Sequence, residues 1–328
     1  MRPDPEWEAP AGQPSPVVLD PLVRRLLDAS AAPPFLHELE PETARQALRE
    51  SQGDRIDDFD VDATFHAAPV GPTGLVGFWI FRPTGVVGRP PVMLYVHGGR
   101  WMLGDAQTHA WLVSELVRQA GVAAVVPEYS RTPESRYPVA LEECYALLTW
   151  VFGQAEPLGL DTDRLAVAGD CAGATLATAL TLLARARGGP GIRAQLLYYP
   201  LTDARCDSPS QRRFATGYLL TREAVRSYWR QYVVDPRQRD EPTASPLRAS
   251  TAALTGLPPA LVVTAEADAT RDEAEEYAAR LRRAGVAATA TRFQGTVHDF
   301  VSLTALRDSP STRAAVRLGA VFLRDRLR

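Results

Sequence analysis

The sequence predicts an α/β fold, in which a mostly parallel twisted sheet is covered by helices on both faces. Short apolar runs alternate with helical patterns over most of the chain, which is typical of parallel strands joined by crossover helices. One of these runs, at 165–168, leads through a Gly-x-Cys-x-Gly motif directly into a helix rich in Ala and Leu. The 328 residues, 45% of them hydrophobic, suffice for one large core and a smaller cap.

The N-terminal part of the chain is predicted to add a tail and a cap to this core. Residues 1–16 carry five prolines among small and polar residues, a composition that predicts a disordered tail. Residues 17–55 contain two helix starts, at Asp20-Pro21 and at Pro41. Because both helices precede the first recognisable strand, we expect them to form an N-terminal cap over the core.

The core is predicted to extend from residue 56 to residue 328. Its strands are expected at 75–81, 92–96, 122–126, 165–168, 194–199, 260–264 and 287–293. Its helices are expected at 108–119, 138–153, 172–187, 272–284 and 310–327. The interval of about 203–248 breaks this alternation, with one helix at 222–233 and aromatic residues that look exposed. We interpret it as an insertion that belongs to the cap.

Composition excludes several classes of protein. The formal net charge of −3, without a long run of one sign, gives no support for a nucleic-acid or membrane partner. No apolar run is long enough to span a bilayer and the N-terminus lacks the apolar core of a signal peptide, so we expect a cytoplasmic monomer or homodimer. The three cysteines, Cys144, Cys171 and Cys206, have neither a disulfide nor a zinc spacing, and no metal or cofactor is expected.

The segment 165–174 has the pattern of a nucleophile elbow, a sharp strand-to-helix turn that presents one side chain at its apex. Gly169 and Gly173 flank the apex because larger residues do not fit so tight a turn. Asp170 precedes the apex, and Cys171 occupies it where Ser is the common residue. The elbow alone leaves two interpretations, a nucleophile or a small buried side chain, because free cysteines are among the most buried residues.

A glycine-rich loop after the strand at 92–96 is a candidate oxyanion hole. An acyl-transfer enzyme needs backbone N–H groups directed at the oxygen that becomes negative in the tetrahedral intermediate. Within His97-Gly98-Gly99-Arg100-Trp101, the expected donors are Gly99 and Arg100, and Ala172 supplies a third N–H from the start of the helix. A Gly-Gly turn without a functional role is the alternative.

An acid and a histidine follow two later strands. Asp268 comes just after the strand at 260–264, and His298 follows the last strand. The order nucleophile, acid, histidine is the order found in α/β enzymes with an elbow, so Asp268 is expected to orient His298 as the base. Taken singly, each residue has an alternative interpretation without a catalytic role. Asp268 could cap a helix, and His298 could be an ordinary residue of a surface loop. The other histidines outside the candidate oxyanion loop, His37, His66 and His109, lack such a setting.

From about residue 75 to the C-terminus, the chain resembles the hormone-sensitive-lipase-like branch (bacterial family IV) of the α/β-hydrolase esterases. The motifs that carry the resemblance are His97-Gly98-Gly99 with Trp101, then Tyr129, Pro133, Glu134 and Pro138, the elbow 169–173, Asp268 with 271–273, and His298 before Phe300. The resemblance implies an α/β-hydrolase fold with a helical cap, a triad of Cys171, His298 and Asp268, and acyl substrates of short or medium length.

Four positions depart from the pattern of that branch. Cys171 stands in place of Ser, Arg100 replaces the last glycine of the oxyanion motif, Ala269-Thr270 replaces the usual Pro-Leu, and Asp299 replaces a glycine after the histidine. Arg100 keeps its backbone N–H but adds a cation and bulk at the mouth of the pocket. These departures make ordinary broad esterase activity the least secure part of what the resemblance implies.

These observations predict acyl transfer through an acyl-thioenzyme. The substrate is expected to be a small-molecule ester or thioester. The expected reaction is hydrolysis, or transfer of the acyl group to a small-molecule or carrier-bound acceptor, including ring closure. We expect this reaction to be a tailoring step of specialised metabolism. Candidate pocket residues are Trp101, Phe214, Tyr218, Trp229 and Tyr232. The alternatives are a non-covalent function on the same fold, either elimination or ligand binding, and a cysteine introduced into a serine enzyme by engineering.

Overall fold

One eight-stranded sheet organises the molecule, and the computed structural model describes it through residues 17–53, 55–56 and 59–328. The predicted tail at 1–16 lies outside the described residues. The strands are β1 (Val61–Ala68), β2 (Val76–Pro83), β3 (Pro91–Val96), β4 (Ala123–Pro127), β5 (Asp161–Asp170), β6 (Ala194–Tyr198), β7 (Ala260–Ala267) and β8 (Ala288–Val297). Their order in the sheet is β1-β2-β4-β3-β5-β6-β7-β8.

Ten helices surround or extend this sheet in the described part of the chain. They are α1 (Pro21–Ala29), α2 (Pro41–Gln52), α3 (Ala110–Ala120), α4 (Val139–Gly153), α5 (Cys171–Arg187), α6 (Pro209–Arg213), α7 (Arg222–Tyr232), α8 (Thr251–Leu254), α9 (Arg271–Arg283) and α10 (Pro310–Arg326). Among the described residues, no helix combines the length and the apolar character needed to cross a bilayer.

The sheet is parallel from β4 to β8, whereas β1 and β2 run antiparallel to their neighbours. β5 lies between β3 and β6 and every residue of α5 from its start to Ala184 is buried, so this strand and helix lie inside the core. Because the carboxyl ends of parallel strands share one edge, the loops that follow β3, β5, β7 and β8 converge there.

The predicted α/β architecture is confirmed, and the differences lie at the margins. β1 was not predicted, because its residues alternate irregularly between exposed and half-buried and form no apolar run. β5 begins at Asp161 and β8 continues to Val297, beyond the predicted limits, since polar residues occupy their ends. The aromatic residues expected to be exposed in the interval 203–248 are mostly buried, with Phe214, Trp229 and Tyr232 each at most 2% exposed.

The N-terminal helices and the interval 203–248 meet above the core. His37, in the turn between α1 and α2, makes an edge contact with the ring of Tyr228 in α7, with ring centroids 6.4 Å apart. The backbone N–H of Asp20 donates to Gly295 in β8 over 3.0 Å, which fixes α1 beside the last strand. The domain boundaries at 17–55 and 203–248 stay predictions.

Candidate active site

Cys171 lies at the apex of the turn between β5 and α5. It is the first residue of α5, its side chain is buried, and its φ of 51° falls in the left-handed region that side chains rarely adopt. Gly169 permits this turn because a Cβ there would lie 2.6 Å from the carbonyl oxygen of Val96, and a Cβ at Gly173 would strike the same oxygen. The local sequence therefore folds as the predicted elbow.

His298 and Asp268 meet at the same edge of the sheet, in the loops after β8 and β7. Nδ1 of His298 lies 2.8 Å from Oδ2 of Asp268, and both side chains are buried. The other oxygen of Asp268 accepts the backbone N–H of Thr270 over 2.8 Å and its hydroxyl over 3.0 Å. The carboxylate is thus held on both oxygens, and it orients the ring of His298.

Nε2 of His298 faces the elbow. Cys171, His298 and Asp299 each offer one atom, sulfur, ring nitrogen or carboxylate oxygen, and these atoms lie within 4.8 Å of one another. Since Nδ1 is engaged by Asp268, Nε2 is the nitrogen available to the thiol. Nε2 has no hydrogen-bond partner among the described residues. The three predicted triad residues are therefore brought together in the order that proton transfer from sulfur to nitrogen requires.

The charge state of His298 is shifted by its neighbours. Burial disfavours the imidazolium, but the charges of Asp268, Cys171 and Asp299 outweigh burial and raise the pKa of His298 well above its usual value. Oδ1 of Asp299 lies 3.5 Å from Nε2, on the side of the ring opposite Asp268. The surroundings of His298 thus favour the protonated ring.

The loop after β3 carries the predicted oxyanion donors on a tight turn. Gly99 has a φ of 102° and its carbonyl oxygen accepts the N–H groups of Met102 and Leu103, which closes a tight turn. A Cβ at Gly99 would strike the carbonyl of Leu103, so the turn requires glycine. Within the described residues, the backbone N–H groups of Gly99 and Arg100 donate to no acceptor. They remain available to a developing oxyanion, together with Ala172 at the start of α5.

Asp170 fixes this loop against the elbow. Oδ1 of Asp170 accepts the backbone N–H of Gly98 over 2.9 Å and the hydroxyl of Tyr95 over 2.7 Å. Oδ2 lies 3.3 Å from Nε2 of His109. Burial of Asp170 opposes ionisation, but the nearby charge of His109 outweighs burial, so the pKa of Asp170 is lowered. The residue before the nucleophile position therefore acts as the anchor of the oxyanion loop.

His97 is a structural member of the same loop. Its ring stacks on Tyr129 with centroids 4.2 Å apart, and its Nδ1 lies 2.8 Å from the carbonyl oxygen of Gly98. Burial, together with the charge of His109, lowers the pKa of His97 to about 3. His97 is therefore neutral, and it supports the loop through packing rather than through charge.

Arg100 and Asp299, two of the four departures from the family pattern, form an ion pair with each other. Nη2 of Arg100 donates to Oδ2 of Asp299, and both residues are 7% exposed. Their φ angles are 58° and 64°, the left-handed conformation that glycine adopts without cost. The guanidinium also lies 5.9 Å from the ring centroid of Tyr228 in α7. Two positions with a glycine backbone therefore carry a buried pair of opposite charges beside the triad.

The five candidate pocket residues fall into two groups. Trp101 stacks on Tyr232 with centroids 4.4 Å apart and contacts Trp229 at 4.5 Å, which joins the oxyanion loop to α7. Phe214 and Tyr218 contact each other at 5.1 Å within the insertion, and Phe214 lies under the guanidinium of Arg271. Trp101, Trp229 and Tyr232 thus form one cluster, and Phe214 with Tyr218 belongs to another.

Several supporting residues were not found from the sequence. Thr270 holds Asp268, and Tyr95 with His109 holds Asp170, although none of them belongs to a recognisable motif. Arg45 in α2 donates to the carbonyl oxygens of Met102 and Thr132, each over 2.9 Å, and pairs with Glu134. The available signal was position, since Thr270 is one of the departures and Tyr95 is the last residue but one of a buried strand.

A nucleophile position after the central strand, with an acid and a histidine after β7 and β8, is the arrangement of an α/β hydrolase. The chain belongs to the alpha/beta hydrolase fold family, whose sequence profile matches residues 93–302. It is 35% identical over 300 residues to a putative alpha/beta hydrolase of Acanthamoeba polyphaga mimivirus, covering 92% of this chain and 86% of the relative.

Esterases are among the relatives. The chain is 34% identical over 289 residues to the carboxylesterase NlhH of Mycobacterium tuberculosis, covering 87% of this chain and 89% of the relative. The crystal structure of a thermostable esterase from Pseudomonas putida matches with a TM-score of 0.92 at 37% identity, covering 96% of this chain and 99% of that chain. The prediction of an enzyme of the esterase class on this fold is therefore confirmed.

Proposed function

We propose that this enzyme transfers acyl groups from small-molecule esters or thioesters through a covalent intermediate on Cys171. The observation that carries the proposal is the orientation of His298, whose Nδ1 is held by Asp268 while its Nε2, without a hydrogen-bond partner in the described part of the chain, faces the thiol. A structural cysteine needs no such pair. The esterase relatives support an ester or thioester as the reacting group.

The first half-reaction forms the acyl-thioenzyme. The thiol proton of Cys171 passes to Nε2 of His298, and the sulfur forms a bond to the carbonyl carbon. The carbonyl oxygen takes the negative charge and accepts the N–H groups of Gly99, Arg100 and Ala172. Collapse of this intermediate breaks the bond to the leaving group, which takes the proton from His298. Water or another nucleophile then attacks the acyl carbon while His298 removes its proton, the carbon–sulfur bond breaks, and the departing thiolate takes the proton from His298.

A sulfur nucleophile sets the preference among substrates. A thiol has an ordinary pKa of about 8.5, so a thiolate leaves more easily than the alkoxide of an alkyl ester. After attack on an alkyl ester, the tetrahedral intermediate therefore tends to expel the thiolate and return to substrate. The preference for this return amounts to about 1.4 kcal/mol for each unit by which the pKa of the alcohol exceeds that of the thiol. A thioester removes this disadvantage. The acyl-thioenzyme also reacts readily with amines or a positioned hydroxyl, which favours transfer and ring closure.

The pocket adds two requirements. An acyl group reaches the buried thiol beside the ion pair of Arg100 and Asp299, so a polar or charged substituent near the carbonyl fits better than a plain hydrocarbon chain. Indole N–H groups of Trp101 and Trp229 and the hydroxyl of Tyr232 are buried and have no partner among the described residues. We therefore favour aromatic or apolar acyl groups that also carry an oxygen acceptor.

A panel of matched oxygen esters and thioesters, with and without amine acceptors, tests the proposal on the wild-type enzyme. We expect kcat/KM to be at least tenfold higher for the thioesters, and a mass increase of one acyl group on Cys171 in the presence of substrate. Cys171→Ala should lose turnover and the adduct. Cys171→Ser should shift the preference toward oxygen esters, because its alkoxide no longer leaves more easily than that of the substrate.

Cys206→Ala is the matched control, since Cys206 is buried in the loop after β6, where its thiol donates to backbone oxygens of Asp203 and Ala204. It should retain both turnover and the adduct. Full turnover in Cys171→Ala would refute covalent catalysis. Turnover by elimination, or ligand binding without any adduct, would instead support a non-covalent function.

A further inference from the structure

Cys171, His298 and Asp299 together present the donor set of a zinc site. Their sulfur, nitrogen and oxygen atoms lie within 4.8 Å of one another, and all three side chains are buried. Zn²⁺ is bound in proteins by thiolate, imidazole and carboxylate, and sites with three protein ligands keep the fourth position open. The spacing of the cysteines gave no sign of this set, because Cys171 lies far along the chain from the adjacent residues His298 and Asp299.

The separation of two of the donors already matches a shared metal ion. Two ligands bound at about 2.1 Å with tetrahedral geometry lie about 3.4 Å apart. Nε2 of His298 and Oδ1 of Asp299 are separated by 3.5 Å. Nε2 is buried and without a hydrogen-bond partner among the described residues, so it can accept a metal once it has lost its proton. The sulfur of Cys171 lies within 4.8 Å of both of these atoms.

The residues behind the ligands are those that support a metal. Metal-binding histidines generally donate their second ring N–H to a carboxylate, and Nδ1 of His298 lies 2.8 Å from Asp268. Arg100 engages Oδ2 of Asp299, which leaves Oδ1 for a single bond to the ion. With Zn²⁺ bound, the two anionic ligands, the Arg100 cation and the Asp268 carboxylate balance the charge of the ion, as a buried site requires.

We propose that Cys171, His298 and Asp299 form a Zn²⁺ site that reversibly switches off the esterase. The ion bonds to the sulfur and to Nε2, and the proton that Cys171 and His298 share is released to solvent. Both atoms are the ones that the acyl-transfer step uses, so enzyme with zinc bound cannot form an acyl-thioenzyme. This inhibitory consequence rests on the proposed function, whereas binding of the metal does not.

Cobalt substitution gives a readout that is independent of activity. The enzyme, freed of metal with a chelator, is titrated with Co²⁺ while sulfur-to-cobalt charge-transfer absorption is followed in the near ultraviolet. We expect the band to saturate at one ion per chain and to disappear when Zn²⁺ is added. Cys171→Ala should abolish the band, and Asp299→Asn should weaken cobalt binding at least tenfold. Mg²⁺ should not compete, because it prefers oxygen ligands.

Matched controls separate this site from other thiols and carboxylates. Cys144→Ala and Cys206→Ala remove the other two cysteines, and Asp308→Asn removes an exposed carboxylate nearby in the chain. All three should bind cobalt like the wild type. Should Asp299→Asn fail to fold, the double variant Arg100→Gly/Asp299→Gly removes both charges together and should show the same weakening. Cobalt binding that persists unchanged in Cys171→Ala, or in both Asp299 variants, overturns the proposal.

Inhibition is measured on the ester that the wild type hydrolyses best. Zn²⁺ should abolish turnover, a chelator should restore it, and Asp299→Asn should need at least tenfold more zinc for half inhibition. Activity that is insensitive to zinc, or raised by it, overturns the switch. A cobalt band without an acyl adduct on Cys171 supports the metal site and refutes the proposed nucleophilic role of Cys171. An acyl adduct without a cobalt band supports the nucleophilic role and refutes the metal site.

Discussion

Arg100 and Asp299 occupy left-handed backbone positions where glycine is the favoured residue. A non-glycine residue in that conformation costs about 1–2 kcal/mol. Each of the two also buries a charge, which is costly without a partner. Their ion pair supplies that partner, so each substitution makes the other tolerable, and the pair is best understood as one feature of the site.

Removing one member of the pair should therefore be more harmful than removing both. Arg100→Gly or Asp299→Gly alone leaves a buried unpaired charge, and we expect the free energy of unfolding to fall by about 3–5 kcal/mol. The double variant restores two glycines and removes both charges, so its stability should lie within about 1 kcal/mol of the wild type. Urea unfolding of the four proteins measures the coupling. Single effects that simply add would show that the two charges are independent.

Helix α2 connects the cap to the catalytic loops. Arg45, at its centre, donates to the carbonyl oxygens of Met102 and Thr132 and is only 7% exposed. At the end of the helix, Gln52 donates to the carbonyl oxygens of Thr108 and Ser302, over 2.7 and 2.8 Å. The helix therefore fixes the end of the oxyanion loop and the loop after His298 relative to each other, although none of its residues enters the chemistry.

Arg45→Met keeps the length of the side chain and removes its donors. We expect stability to fall by about 1–3 kcal/mol, because two buried carbonyl oxygens lose their partner. The value of kcat should fall by about tenfold to a hundredfold with a smaller change in KM, since the loop that carries the oxyanion donors is no longer held. Arg24→Met, at an exposed position of α1, is the control. An unchanged kcat in Arg45→Met would contradict a positioning role for α2.

At the scale of the molecule, a buried carboxyl group joins the interval 203–248 to the core. Glu273 in α9 is 2% exposed, and its Oε1 accepts the backbone N–H of Thr202 over 2.9 Å. Its Oε2 accepts from the side-chain amide of Gln211, within the interval, over 3.5 Å. Burial, reinforced by the charge of Asp203, raises the pKa of Glu273 well above its usual value. The folded state therefore binds this proton more tightly than the unfolded state, in which a glutamate has a pKa of about 4.3.

The stability contributed by Glu273 should depend on pH with a defined sign. It is fully present below the unfolded pKa of about 4.3 and is lost as the pH rises toward the raised folded value. Glu273→Gln keeps an acceptor for Thr202 and removes the titration. Relative to this variant, the wild type should lose stability between pH 5 and pH 8, by about 1.4 kcal/mol for each pKa unit of difference titrated. A constant difference across that range, in urea unfolding at each pH, would contradict the assignment.

The sequence by itself determined the alternation of strands and helices, the elbow and the order of Cys171, Asp268 and His298. These features are local, because periodicity, glycines and turn residues act within a few positions of each other. Strand β1 was not predicted from the sequence, since an exposed edge strand carries little apolar pattern. The limits of β5 and β8 were not predicted correctly either, since the polar ends of these strands are fixed by pairing with neighbouring strands.

Only the tertiary structure decided which distant residues share a site. Arg100 and Asp299 are 199 positions apart in the chain. Arg100 was expected as an oxyanion donor and as a departure from glycine, and Asp299 only as a departure, so nothing in the sequence indicated their ion pair. The parallel sheet brings the loops after β3, β5, β7 and β8 to one edge, and there the two charges meet beside Cys171 and His298. Side-chain contacts of this kind depend on the strand order, which the chemistry of the separate segments does not encode.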